Sequence, residues 1–233
     1  MNNKKHNNLL KQYNSENKIE IGIDEVGRGP LFGRVYSAGV ILPKNDNFKY
    51  ELLKDSKKFS SKKKITEVSH YIKSNVEYYS IQYVDENNID RYNIKNASHT
   101  AMHLCIKEIL ANIDIKNFKD ILLLIDGNNF KPYTYLYNDN IHIIDNICIE
   151  GGDNKYCSIA AASIIAKVER DKYIEMLCKE YPKLDEYYDL NNNKGYGTKR
   201  HIEGIQKYGI SPWHRTTYST CKNIKKNDRD FYK

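Results

Sequence analysis

Asp24 and Glu25 stand side by side at the end of the apolar stretch IEIGIDE, and Asp126 closes a second apolar run, ILLLID. Open α/β sheets gather their active sites at such strand ends. Hard oxygen donors converging from different strands suit Mg²⁺ or Mn²⁺, which keep part of their water shell. A pair of such ions needs roughly four carboxylates to offset its charge. Asp153, in EGGD just ahead of a long helical pattern, is the best fourth candidate. A lone Asp at a strand end is more often a turn or cap residue. Two adjacent acids beside a glycine-rich turn are electrostatically costly without a cation, which weakens that reading for Asp24 and Glu25. Spacing alone leaves the choice open.

Other potential ligands are weaker. His99 and His103 lie four apart on a helical pattern, but Thr100 stands where an H-E-x-x-H zinc site needs its glutamate. The five cysteines are scattered and contain no C-x-x-C pair, so they read as small buried hydrophobes rather than a disulfide framework or zinc knuckle. Asp171 is an alternative fourth acid, yet with Arg170 beside it and Lys167 one turn back it reads as an ion-pair partner.

The elements that must position these acids follow from periodicity. Strands are predicted at 19–24, 34–42, 76–84, 121–126 and near 141–149. Helices are predicted from an N-cap at Ser60 to about Lys73, over 94–112, and from Cys157 to about Tyr181, where Pro182 stops the chain. Leu190 to Gly197 reads as loop. Strands alternating with helices predict an α/β sheet covered by helices, with a helical C-terminal piece.

At 233 residues the chain supports one ordinary core. No apolar run reaches the roughly eighteen residues of a membrane span, and the basic, Asn-rich start lacks a secretory apolar core. No membrane partner and a cytoplasmic location are the expectations. The net charge of +7 permits a polyanionic partner, although abundant Lys, Asn, Ile and Tyr are also what AT-rich codons supply.

GIDEVGRGPLFGRV at 22–35 resembles the segment that opens ribonuclease HII. In order after it come LKDSKKFSSKKK (53–64), LLIDGN (123–128), GGDNKYCSIAAASIIAKVERD (151–171), KGYGTKRH (194–201) and SPWHRTTY (211–218), each similar to a segment of that family. The resemblance implies a ribonuclease H-like fold, a mixed five-stranded sheet flanked by helices with a helical C-terminal extension. It implies a loose lead over 1–18, a catalytic domain over 19–181, and the extension and tail over 182–233. It places the metal and catalytic carboxylates on Asp24, Glu25, Asp126 and Asp153, holding two Mg²⁺ or Mn²⁺ ions, one to activate water and one to neutralise the leaving 3′ oxygen. The implied substrates are RNA:DNA hybrids and duplex DNA with embedded ribonucleotides.

By the same resemblance Gly27, Arg28 and Gly29 read the 2′ hydroxyl with backbone groups, and Tyr196 packs on the sugar at the junction. Lys57 and Lys58 are candidates for backbone phosphates, with help from His201 and Arg215. A monomer is implied, and clamp docking by the tail after Tyr218 is left open. Phe32, Arg34, Gly152 and the longer YYDLNNNKGYG loop depart from the usual pattern. The alternatives are a ribonuclease HIII-like hybrid nuclease, disfavoured by the KGYG tyrosine and by only 23 residues preceding Asp24, or an inactive nucleic-acid-binding module of the same fold.

Overall fold

The computed structural model describes residues 9–13, 18–114, 118–227 and 229–231. Most of the lead at 1–18 lies outside the described residues. Within it, Leu10 is held: its N–H donates to the Lys155 carbonyl at 2.8 Å, and its carbonyl accepts from Cys157 N–H at 2.9 Å.

Among the described residues seven strands form: β1 Ile19–Val26, β2 Val35–Ile41, β3 Tyr78–Val84, β4 Ile121–Asp126, β5 Thr134–Tyr137, β6 Asn140–Ile143 and β7 Asp145–Ile149. The helices are α1 Lys62–Asn75, α2 Glu86–Tyr92, α3 Ile94–Asn112, α4 Cys157–Glu180, α5 Lys183–Tyr188, α6 Leu190–Asn193 and α7 Lys199–Tyr208. Five strands make a mixed sheet in the order β3-β2-β1-β4-β7. β4 runs parallel to both β1 and β7.

Side-chain alternation sorts the centre of the sheet into two faces. Ile21, Ile23, Ile121, Leu123 and Ile125 pack with Met102, Ile106, Ile109 and Leu110 of α3. Leu122 and Leu124 point the other way and pack with Ile149 and with Ile159 of α4. Gly22 sits on this second face. A Cβ there would lie 2.2 Å from the Ser158 carbonyl carbon and 2.5 Å from Ile159 N, so the bare glycine lets the start of α4 press onto β1.

Several predicted boundaries shift for local reasons. The N-cap of α1 is Ser61, not Ser60, since Ser61 Oγ accepts from Lys64 N–H. The strand predicted near 141–149 is two strands. Asn138 and Asp139 both take positive φ (48° and 57°), as a two-residue hairpin loop requires, so β6 folds back on β5 before β7 joins the main sheet. One helical turn, α6, forms inside the stretch predicted as loop, and α2 forms on an Asp85 cap where periodicity gave no signal.

The chain clusters into two compact units. The first comprises Met1–Glu25, Ser37–Gln82 and Ala101–Val168, and the second Val26–Tyr36, Tyr83–Thr100 and Glu169–Lys233. No helix among the described residues is long and apolar enough to cross a membrane.

Candidate active site

In the first unit, parallel pairing sets Ile23 opposite Ile125, so Asp24 and Asp126 come next on adjoining strands. Both project from the α4 face by alternation. One strand further, Ile149 pairs with Asp126, and the chain then turns through Gly151 (φ 62°) into a 3₁₀ turn, Gly152–Asn154. That turn brings in Asp153, 6% exposed, and Gly152, whose N–H donates to Asp126 Oδ1 at 2.7 Å. That donor is a backbone group that any residue but proline would supply; what the glycine itself changes is the space beside Ile159. A Cβ at that position would also meet Ile159 Cδ1 at 2.6 Å.

Asp24 is 4% exposed, and its Oδ1 accepts from Glu25 N–H at 2.6 Å. Burial, followed by the charges of Glu25, Asp126 and Asp153, holds its carboxyl well above the usual range against a lowering hydrogen bond from Ser163. Asp153 is raised as well, first by burial and then by Asp126 and Asp55, while Lys57 and Asn154 pull it down. The four predicted acids thus sit in one another's fields. Among the described residues no three His, Cys, Asp or Glu side chains are drawn together closely enough to hold an ion. The group fits a hard divalent cation on chemistry: all donors are oxygens, and a cation would relieve the repulsion that raises Asp24.

The DSKK segment is fastened to this cluster by residues that motif spacing did not single out. Asp55, 8% exposed, caps the turn Ser56–Lys58 by accepting from Lys57 N–H and also accepts from Asn154 Nδ2 at 3.3 Å. Ser56 Oγ and Ser163 Oγ are 3.0 Å apart, and Lys58 Nζ bonds Asn154 Oδ1. Lys57 is left exposed beside Asp153. Asp55 and Ser163 had one available signal, their place inside the matched segments.

In the second unit, two buried arginines shape the glycine loop. Arg215, fully buried, donates from Nη2 to the Gly27 carbonyl at 2.6 Å and from Nη1 to those of Arg28 at 3.0 Å and Pro30 at 2.8 Å, and from Nε to that of Gly33 at 2.8 Å. Arg170 donates to the carbonyls of Phe32, Arg34 and Lys194. Burial and the Arg215 charge push Arg170 down to about 10, so it stays cationic at neutral pH. Gly27 holds φ 99°, and a Cβ there would strike Arg170 Nε at 2.4 Å. Every described peptide bond is trans, so carbonyls turned toward Arg215 turn the Arg28 and Gly29 N–H groups away from it.

Leu31 N–H donates to the Gly195 carbonyl at 2.8 Å, which ties the loop to the KGYG turn. Tyr196 is 48% exposed, and its Cε1 would lie 3.6 Å from a Cβ on Gly29. Arg28, Gly29 and Tyr196 therefore share one surface, with Gly27 buried behind it against Arg170. His201 and Arg215 do not reach it. Both are fully buried, which overturns their assignment as phosphate contacts.

Arg170 spends its guanidinium on carbonyl oxygens, and His103 Nε2 bonds the Lys131 carbonyl at 2.7 Å. All five cysteines are free thiols, four of them buried. The described part of the tail after Tyr218 has Phe231 buried and Asp230 paired to Lys183 of the same unit.

A sequence profile of the family described as Ribonuclease HII matches residues 21–221. The Ribonuclease HII of Cytophaga hutchinsonii is 41% identical over 209 residues, 90% of this chain and 93% of that protein. Among solved structures, the ribonuclease H2 from Pyrococcus horikoshii OT3 aligns with a TM-score of 0.65 at 23% identity, over 87% of this chain and 94% of that one. Bst-RNase HIII in complex with Mn²⁺ aligns with a TM-score of 0.57 at 20% identity, over 88% and 68%. At these identities the structural likeness establishes the fold, which is ribonuclease H-like.

Proposed function

The chain belongs to the ribonuclease HII family, and from that premise we propose that it nicks duplex DNA on the 5′ side of embedded ribonucleotides and cuts the RNA strand of RNA:DNA hybrids, leaving 3′-hydroxyl and 5′-phosphate ends. That it is a type 2 ribonuclease H endonuclease follows from the family. The observation that carries the finer reading is the pairing of outward-turned Arg28 and Gly29 amides with the exposed Tyr196 ring. Only a ribonucleotide offers a 2′ hydroxyl to such donors, and a bare glycine lets the sugar come close.

Asp24, Glu25, Asp126 and Asp153 would hold divalent ions, Mg²⁺ or Mn²⁺. When bound, such ions activate water and stabilise charge on the leaving oxygen. The chain's own part is to gather these acids at the ends of β1 and β4 and in the Gly152–Asn154 turn and to place Lys57 near the phosphate, while the glycine loop and Tyr196 orient the sugar. Phosphate contacts fix register without reading bases, so sequence preference is expected to be slight.

The test uses a duplex with one embedded ribonucleotide, incubated with Mg²⁺, with Mn²⁺ and with chelator. The expected outcome is a single metal-dependent nick 5′ of the ribonucleotide, lost in Asp24→Asn and Asp126→Asn variants that still bind the duplex. Undiminished cutting by either variant would remove the assigned carboxylate roles. A duplex that is bound but never nicked would leave only a binding module.

A further inference from the structure

A row of buried hydrogen bonds runs from Ser211 to the backbone of Tyr196. His201 Nδ1 lies 2.9 Å from the Tyr196 carbonyl, His201 Nε2 lies 3.0 Å from His214 Nε2, and Ser211 N–H donates to His214 Nδ1 at 2.9 Å. A carbonyl only accepts, so His201 carries its proton on Nδ1 and accepts at Nε2. A backbone amide only donates, so His214 accepts at Nδ1 and donates from Nε2. The two ends dictate compatible tautomers, and both rings are neutral. Burial lowers both pKa values, that of His214 well below normal, in keeping with neutrality.

The relay is dry. His201 and His214 are 0% and 1% exposed, and the His214 ring packs edge-on against Phe32 (5.1 Å) and Tyr188 (4.7 Å). At its far end the Tyr196 carbonyl also accepts from Thr198 N–H at 2.8 Å, while Tyr196 N–H donates to the Asn193 carbonyl at 3.0 Å. The tyrosine backbone is thereby fixed on both sides although its ring is half exposed.

We propose that His201 and His214 are positioning residues for ribonucleotide selection, locking the Tyr196 backbone so that its ring stands beside Gly29. This rests on the reading of Tyr196 as the sugar contact. The SPWHR turn then supports both recognition pieces, with Arg215 holding the glycine loop and His214, through His201, holding Tyr196.

The readout is the ratio of the incision rate at a single embedded ribonucleotide to the cleavage rate on a continuous RNA:DNA hybrid, measured at saturating substrate with thermal unfolding of each variant alongside. Tyr196→Ala tests the underlying reading and is expected to lower the ratio. His201→Leu removes the donor to Tyr196 and is expected to lower it by up to about a hundredfold, the scale of a positioning group displaced by an ångström. His201→Asn keeps an N–H donor at the δ position and is expected to restore the ratio even where its melting temperature matches that of His201→Leu. His214→Asn keeps the Ser211 contact but cannot reach His201, so it is expected to lower the ratio and carries the test should His201→Leu not fold. A ratio lowered by Tyr196→Ala but unchanged in His201→Leu and His214→Asn overturns the relay alone. So does a ratio that falls as far in His201→Asn as in His201→Leu. No change with Tyr196→Ala overturns the Tyr196 reading and the relay together.

Discussion

Burial and the charges of Glu25, Asp126 and Asp153 raise the Asp24 carboxyl well above the ordinary aspartate value. A group whose folded pKa exceeds its unfolded one binds more protons folded than unfolded, so stability falls as pH climbs through the raised value. Free of divalent ions, the protein is therefore expected to lose stability between the usual carboxylate range, about pH 4, and neutrality on account of this residue. Asp24→Asn removes the repulsion. In chelator at pH 7 the variant should melt higher than the parent, by roughly 2–4 °C for each kcal/mol relieved. The gap should close as pH is lowered toward about 4. Added Mg²⁺ should raise the melting temperature of the parent, since a ligand of the folded state stabilises by mass action, and should raise that of the variant much less. Thermal unfolding at two pH values with and without Mg²⁺ checks all three. A variant less stable than the parent in chelator at neutral pH would show that Asp24 is structural.

The strand and helix that set these acids depend on how closely α4 approaches β1. Gly22→Ala puts a methyl 2.2 Å from the Ser158 backbone, so α4 must move, and with it Ser163 and the turn holding Asp153. Overpacking of this kind costs about 1–3 kcal/mol, and the expected result is a lower urea midpoint with cleavage largely lost. Gly39→Ala on β2 is the control. Its methyl would clash only with the flexible end of Ile109, at 2.7 Å, and make ordinary contacts with Cys105 and Ile21, so a smaller stability loss with cleavage retained is expected. Equal effects from the two would mean that close helix approach at Gly22 does not set the site. The same elements mark what was legible in the sequence. Apolar runs such as ILLLID announced buried strands, and acids closing two of them announced a site. Asp55, Ser163 and Gly22 were legible only as members of the matched segments, because they act through contacts between segments about a hundred residues apart, as in Ser56 with Ser163 (separation 107), which leave no periodic trace. His201 and Arg215 were misassigned for a related reason: residue type shows that a side chain can be cationic, not that folding will bury it against carbonyl oxygens.

At the scale of the whole molecule, the charge of +7 makes phosphate neutralisation the general term in substrate binding. The observed affinity for a given duplex should fall linearly with salt on logarithmic axes, by the same slope whatever the base sequence, because such contacts release counterions without reading bases. Net charge alone does not say which cations take part, and several are already engaged: Lys58 on Asn154, Arg170 and Arg215 on carbonyls, Lys183 on Asp230. Lys57 is exposed beside Asp153, at the edge of the cluster where a scissile phosphate would come. Lys57→Ala is therefore expected to weaken binding evenly across sequences and to make the salt slope shallower by about one. Tyr196→Ala, which removes no charge, is expected to leave the slope unchanged. Fluorescence anisotropy titrations in chelator, over a series of salt concentrations and with two duplexes of unrelated sequence, separate the two effects. A Lys57→Ala slope equal to that of the parent would show that this lysine makes no phosphate contact and that its influence ends at Asp153.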